Sequence, residues 1–126
     1  MSRGEPITLD EYFAECEPGS RELFEAVRAA VDSAGPAEVR ATRSQVAFRR
    51  RTAFAWAWVP GQYLRGSDLP PLVLSVGLRR RDASPRWKEV VEPAPGRFMH
   101  HLEVRSADDL DYEVLEWLAE AWDQAG

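Results

Sequence analysis

"VAFRRRTAFAWAWVPGQYLRG", Val46 to Gly66, sets three consecutive arginines between two apolar segments and then alternates Phe, Trp and Trp with alanine. A period of two is the mark of a β-strand, whose side chains point alternately to the two faces of a sheet. The stretch reads as two antiparallel strands, Gln45–Arg49 and Ala53–Val59, joined tightly at Arg50, Arg51 and Thr52. The fold then turns on which half of the alternation is buried. The plain reading gives Phe54, Trp56 and Trp58 to the core and turns Ala53, Ala55 and Ala57 outward. The converse reading makes an aromatic platform beside a cationic cluster.

Period two extends on both sides of this stretch. Glu38–Arg43 reads as a strand, and so does Leu72–Leu78, which Pro70 and Pro71 precede and Arg79–Arg81 follow. The segment "RDASPRWKEVVEPAPGR", Arg81–Arg97, is rich in proline and reads as an extended loop with at most one helical turn around Trp87. Phe98–Val104 is the last strand. The expected core face carries Val46, Phe48, Phe54, Trp56, Trp58, Leu72, Leu74, Val76, Leu78, Phe98, His100, Leu102 and Val104. The expected outer face carries Arg40, Thr42, Gln45, Ala47, Arg49, Val73, Ser75, Gly77, Met99, His101 and Glu103 together with the three alanines.

Helical spacing flanks the strands. Thr8 and Glu11 form a capping box before Leu9, Tyr12, Phe13 and Cys16, which share one helical face. Ser20 reads as the cap of a helix over Arg21–Asp32 with Leu23, Phe24, Val27, Ala30 and Val31 on its apolar side, ended by Gly35 and Pro36. Ser106 reads as the cap of a final helix running to about Gln124, with Asp108 and Asp109 near its positive end. Its apolar face is Leu110, Val114, Trp117, Leu118 and Ala121. The expectation is one α+β domain over residues 1–126: helices over about 8–34, an antiparallel sheet of about five strands over 37–104, and a C-terminal helix over 107–124, with the helices on one face.

The chain has 126 residues and a formal net charge of −5, unevenly spread. Residues 37–105 hold 13 basic and 6 acidic side chains, while residues 106–126 hold 7 acidic and no basic ones. An acidic total argues against indiscriminate polyanion binding, but a basic middle segment leaves room for a local anion site. Fifteen of the sixteen basic residues are arginine, a bias that a GC-rich genome also produces, so arginine abundance alone says little. Cys16 is the only cysteine. An internal disulfide is therefore excluded, and a cytoplasmic, reducing location is the expectation. No apolar run approaches a bilayer span, and the first residues lack a leader's apolar core.

Chemistry-bearing motifs are sparse. His100 and His101 are neighbours, so a strand sends them to opposite faces, and neither a third histidine nor a second cysteine is present to complete a metal site. No phosphate loop, dinucleotide fingerprint, nucleophile elbow or His-Glu-x-x-His occurs, and no cofactor is implied. His101 and Glu103 share a face and form a candidate acid/base pair, whose bland alternative is an ordinary polar patch. The small outer residues Ala55, Ala57, Ser75 and Gly77 would leave a shallow floor rimmed by Arg40, Arg49 and His101, with Arg49 and His101 lining one concavity. Arg51 and Arg79 end two strands and would complete a carboxylate or phosphate site if those ends meet. Trp87 and Lys88 lie in the proline-rich segment, as a lid on that site or as a hydrophobic plug.

"SQVAFRRRTAFAWAWVP", "RWKEVVEPAPGRFMHHLEV" and "DYEVLEWLAEAW" together resemble the bacterial domain of unknown function 5655 over about Leu23 to Trp122. The resemblance implies no reaction and no catalytic residues. It implies small bacterial proteins and appendages of larger ones, some similar to nucleic-acid restriction factors. Three functions stay open at this point. One is a module binding an anionic ligand, either nucleic acid or a phosphorylated or carboxylated small molecule, at Arg40, Arg49, Arg51, Arg79, Trp87, Lys88 and His101. Another is an interaction domain that forms a homodimer through its sheet. The third, less favoured, is an enzyme using His101 and Glu103. No membrane partner is expected.

Overall fold

Six strands form one antiparallel sheet in the computed structural model, which describes residues 4–62 and 68–126. Residues 1–3, and the end of the Val46–Gly66 stretch from 63 on, lie outside the described residues. The strands are β1 (Glu38–Ala41), β2 (Val46–Arg49), β3 (Ala53–Trp58), β4 (Leu72–Leu78), β5 (Glu89–Ala94) and β6 (Arg97–Val104). They lie side by side in the order β1-β2-β3-β4-β6-β5. Helices α1 (Leu9–Phe13) and α2 (Pro18–Ala34) precede the sheet and α3 (Tyr112–Gln124) follows it. The α+β class and the placing of two helices before the sheet and one after it agree with the sequence reading.

The strand count does not agree, because β5 falls inside the segment read as a loop. Pro93 cannot donate to a ladder, but β5 is an edge strand with one side unpaired, where proline is tolerated. The turn into β6 is made by Pro95 and Gly96 between the paired residues Ala94 and Arg97, and Gly96 has φ 73°. Proline followed by glycine at the centre of a turn is a sequence signal for this geometry.

The larger correction concerns β3. Phe48 pairs with Ala55, whereas Arg49 pairs with Ala53, so β3 carries one extra residue, Phe54, against β2. Phe54 and Ala55 are both buried in the core, and the alternation changes phase there. Downstream of the bulge, Ala57 pairs with Val46 and Leu74, while Trp56 pairs with Ala47 and Ser75. Residues directly opposite on neighbouring strands share a face. Ala55 and Ala57 therefore face the helices, and Trp56 and Trp58 face away from them. Small residues at 55 and 57 leave room above the sheet for Phe24, Phe48 and Leu118, all at most 0% exposed.

Helix ends also depart from expectation. Thr8 and Glu11 do form the capping box of α1. Helix α2 starts earlier than expected, with Glu17 at the cap position and Pro18 in its first turn. Ser20 is buried within it and donates from Oγ to the Pro71 carbonyl at 2.8 Å, tying the helix to the start of β4. Ser106 caps a 3₁₀ turn over Ala107–Asp109, with Asp109 completing its capping box, and Asp111 caps α3 by accepting from the Val114 amide.

A polar network seals the helix side below β5. His100 is 0% exposed; its Nδ1–H donates to the Val76 carbonyl at 3.2 Å, and its Nε2 accepts from the Asp82 amide at 3.0 Å. The ring is thus held neutral, in keeping with a pKa that burial pushes down. The Asp82 carboxylate accepts from the Trp87 indole at 2.9 Å, from Arg80 at 2.8 Å and from the Ser84 amide at 3.1 Å. Burial alone would raise the Asp82 pKa, but these hydrogen bonds outweigh it and hold it at about 2. A depressed carboxylate pKa stabilises the fold above the unfolded value near 3.8, and that contribution is lost as pH falls toward 2. Asp82→Asn should therefore cost about 2 kcal/mol at neutral pH and little at pH 2. Urea denaturation of both proteins at the two pH values checks this. An equal difference at both would detach Asp82 from the acid response.

Candidate functional site

The sheet face turned away from the helices is assembled by register. Arg40, Ala47, Trp56, Ser75, His101 and Glu89 form one row of direct partners crossing all six strands. Gly77, Met99 and Val91 make the next row toward the β2–β3 turn, and Trp58, Val73 and Glu103 the next in the opposite direction. Trp56 and Trp58 are half-buried on this face. The Trp56 indole lies over Gly77, where a Cβ atom would stand 3.5 Å from its ring.

Trp58, Ser75 and His101 are linked by hydrogen bonds. The Trp58 indole donates to Ser75 Oγ at 3.1 Å, and Ser75 Oγ lies 2.7 Å from His101 Nδ1. An indole N–H can only donate, so the Ser75 oxygen accepts there, while between Ser75 Oγ and His101 Nδ1 the donor is set by the imidazole tautomer. His101 Nε2 makes no hydrogen bond among the described residues and is open to a ligand. Burial lowers the His101 pKa, against an opposing pull from Glu89, and favours the neutral ring.

Two concavities adjoin here, the second on this face and the first wrapping its β2–β3 end, where Ala121, Gln124, Ala125 and Gly126 at the end of α3 also line it. The first, about 320 Å³, is floored by Trp56, Gly77, Leu78, Phe98 and Met99 and rimmed by Arg51, Arg79 and Arg97. No Asp or Glu is among the residues lining it. The Arg79 guanidinium is fixed by donating to the Gln124 carbonyl at 2.9 Å, near the negative end of α3. Arg51 is positioned by its backbone: the amides of Arg51 and Thr52 both donate to the Ala125 carbonyl, at 3.1 and 3.2 Å. The second concavity, about 520 Å³, is lined by Ser44, Gln45, Trp56, Trp58, Ser75, Met99 and His101. Trp56 and Met99 are the wall common to both.

The structure therefore brings Arg51 and Arg79 together and sets His101 in the neighbouring hollow. Arg40 and Arg49 are on the same face but line neither concavity. Arg49 and His101 accordingly do not share one. Glu103 shares a face with His101 but lies 3.4 Å from Arg105 and lines a third hollow with Arg86, Trp87 and Lys88. Trp87 is buried, with its ring 4.1 Å from Trp117 and 4.9 Å from His100, so it plugs the helix side rather than covering the open face. Arg97 and the platform formed by Trp56 and Met99 were not singled out from the sequence. The Pro-Gly turn that places Arg97 was readable, whereas the bulge that turns Trp56 outward was not.

Among the described residues no group of three His, Cys, Asp or Glu side chains is placed to hold a metal, and no helix is long and apolar enough to cross a membrane. A family model described as a domain of unknown function (DUF5655) matches residues 9–125. No curated protein and no solved structure matches the chain.

Proposed function

From the premise that this chain belongs to the domain of unknown function 5655 family, we propose that it is a binding module for a small anionic ligand, held on the open sheet face at the β2–β3 end. One observation carries the reading. In a chain of net charge −5, Arg51, Arg79 and Arg97 rim a 320 Å³ concavity whose lining contains no Asp or Glu. Among the described residues neither the Arg51 nor the Arg97 side chain has a hydrogen-bond or ion-pair partner, whereas Arg80 and Arg86 are engaged by carboxylates. Guanidinium groups present planar pairs of donors suited to phosphate or carboxylate oxygens. The apolar floor suits a ligand with a flat or apolar body attached to the anion.

Phenyl phosphate is a suitable probe, with benzyl alcohol as its uncharged counterpart. Calorimetric titration at low salt should show binding of phenyl phosphate and none of benzyl alcohol. Arg51→Gln and Arg97→Gln should each weaken binding by about 10-fold, the effect of losing one charge-assisted hydrogen bond. Wild-type protein that binds neither probe at millimolar concentration, or both equally, would end the reading.

A further inference from the structure

The second concavity opens beside the first and differs from it in chemistry. Its wall holds two tryptophans and the polar groups of Gln45, Ser75 and His101, and among the described residues no arginine or lysine lines it. His101 is oriented by the Trp58–Ser75 chain of hydrogen bonds, with Nδ1 engaged and Nε2 left to a ligand. Such a wall does not attract a second anion. It suits a neutral, planar group that stacks on indole and makes a hydrogen bond to the imidazole.

Distance joins the two hollows. Ser75 and Gly77 are two residues apart on β4, about 7 Å along a strand. Ser75 lines the second hollow and Gly77 the first, with Trp56 between them. A sugar can bridge that span. We propose that the two concavities together take one mononucleotide, its phosphate among Arg51, Arg79 and Arg97, its base against Trp56 and Trp58, and a polar edge of the base hydrogen-bonded to His101 Nε2. The proposal rests on the anion-binding reading above and specifies its ligand.

Charge beyond the second hollow excludes a continuing strand. Glu89 is the direct partner of His101 on β5, and Glu103 follows on the same face of β6. A strand continues from the sugar's 3′ oxygen, and a phosphate led from there past the base would meet these carboxylates. The site therefore fits a free nucleotide rather than a run of nucleic acid.

Uridine 5′-monophosphate and ribose 5-phosphate share the phosphate and differ by the base. Isothermal titration should show the nucleotide binding about 10-fold more tightly or better, the contribution of stacking one base on an aromatic wall together with one hydrogen bond to His101. In His101→Ala the gap should shrink to about 3-fold or less, while ribose 5-phosphate binds as to wild type, which also reports that the variant is folded. Equal affinity of the two ligands for wild type overturns the mononucleotide and leaves the anion site standing. Failure of both to bind removes the two readings together. An oligouridylate whose affinity rises with chain length overturns the free-nucleotide assignment in favour of a strand.

Discussion

Trp87→Ala should destabilise the protein by about 3–5 kcal/mol, the range for deleting a buried aromatic side chain. The ring is 8% exposed and packs against Trp117 and His100, and its indole donates to Asp82. Truncation would leave a cavity between β6 and α3 and remove one of the partners that hold Asp82 ionised. Against a total stability of about 5–15 kcal/mol this is a large fraction. Trp87→Phe keeps a ring and loses only the indole donor, so it should cost less, about 1–3 kcal/mol. Urea denaturation measures both. A loss under about 1 kcal/mol for the alanine variant would return Trp87 to the surface and revive its reading as a lid. Phenyl phosphate affinity of the folded variant should match wild type, because Trp87 lines neither concavity of the open face.

Gly35→Ala should cost about 2–4 kcal/mol through two additive causes, backbone strain and overpacking. Gly35 ends α2 with φ 155°, and a Cβ there would overlap the Trp122 ring. The consequence reaches the site. The Trp122 indole donates to the Pro36 carbonyl at 2.9 Å, and the Arg50 guanidinium stacks on its ring at 3.5 Å. Arg51 follows Arg50 in the turn that the Ala125 carbonyl ties down. A displaced Trp122 should therefore loosen the turn that aims Arg51 and weaken anion binding as well as stability. Thermal denaturation and titration of the same variant check the two effects. Unchanged stability would mean that α3 shifts freely, and the coupling of Gly35 to the turn would fail with it.

The local patterns that carried the sequence reading were those in which one physical cause dominates. The Thr8–Glu11 capping box, the Leu72–Leu78 strand and the apolar faces of α2 and α3 follow directly from hydrogen-bonding groups and periodicity. Ser20 misled because a hydroxyl near a helix start can cap it or can bond elsewhere, and here it bonds to Pro71 across the core. Strand β5 was hidden by Pro93, whose effect depends on whether its side of the strand is paired, a property of the sheet and not of the segment.

On the open face only β3 departs from the sequence reading, for a related reason. Alternation in "AFAWAW" reads correctly only if the phase is known, and one bulge residue, Phe54, reverses it. Phe54 does belong to the core, which made the same phase for Trp56 and Trp58 look necessary. Arg51, Arg79 and His101 were visible as candidates because arginines ending strands and a histidine on the outer set stand out in one dimension. What joins them, the Trp56 and Met99 wall and the tethering of Arg79 to Gln124, exists only after the strands pair and α3 docks.

Amide and indole chemical-shift mapping on ¹⁵N-labelled protein during titration with phenyl phosphate tests the central claim most directly. The account predicts shifts concentrated at Arg51, the Trp56 indole, Gly77, Arg97 and Met99, with Trp87 and Trp117 unmoved. Shifts centred on Trp87 and Trp117, or none at saturating probe, would contradict it.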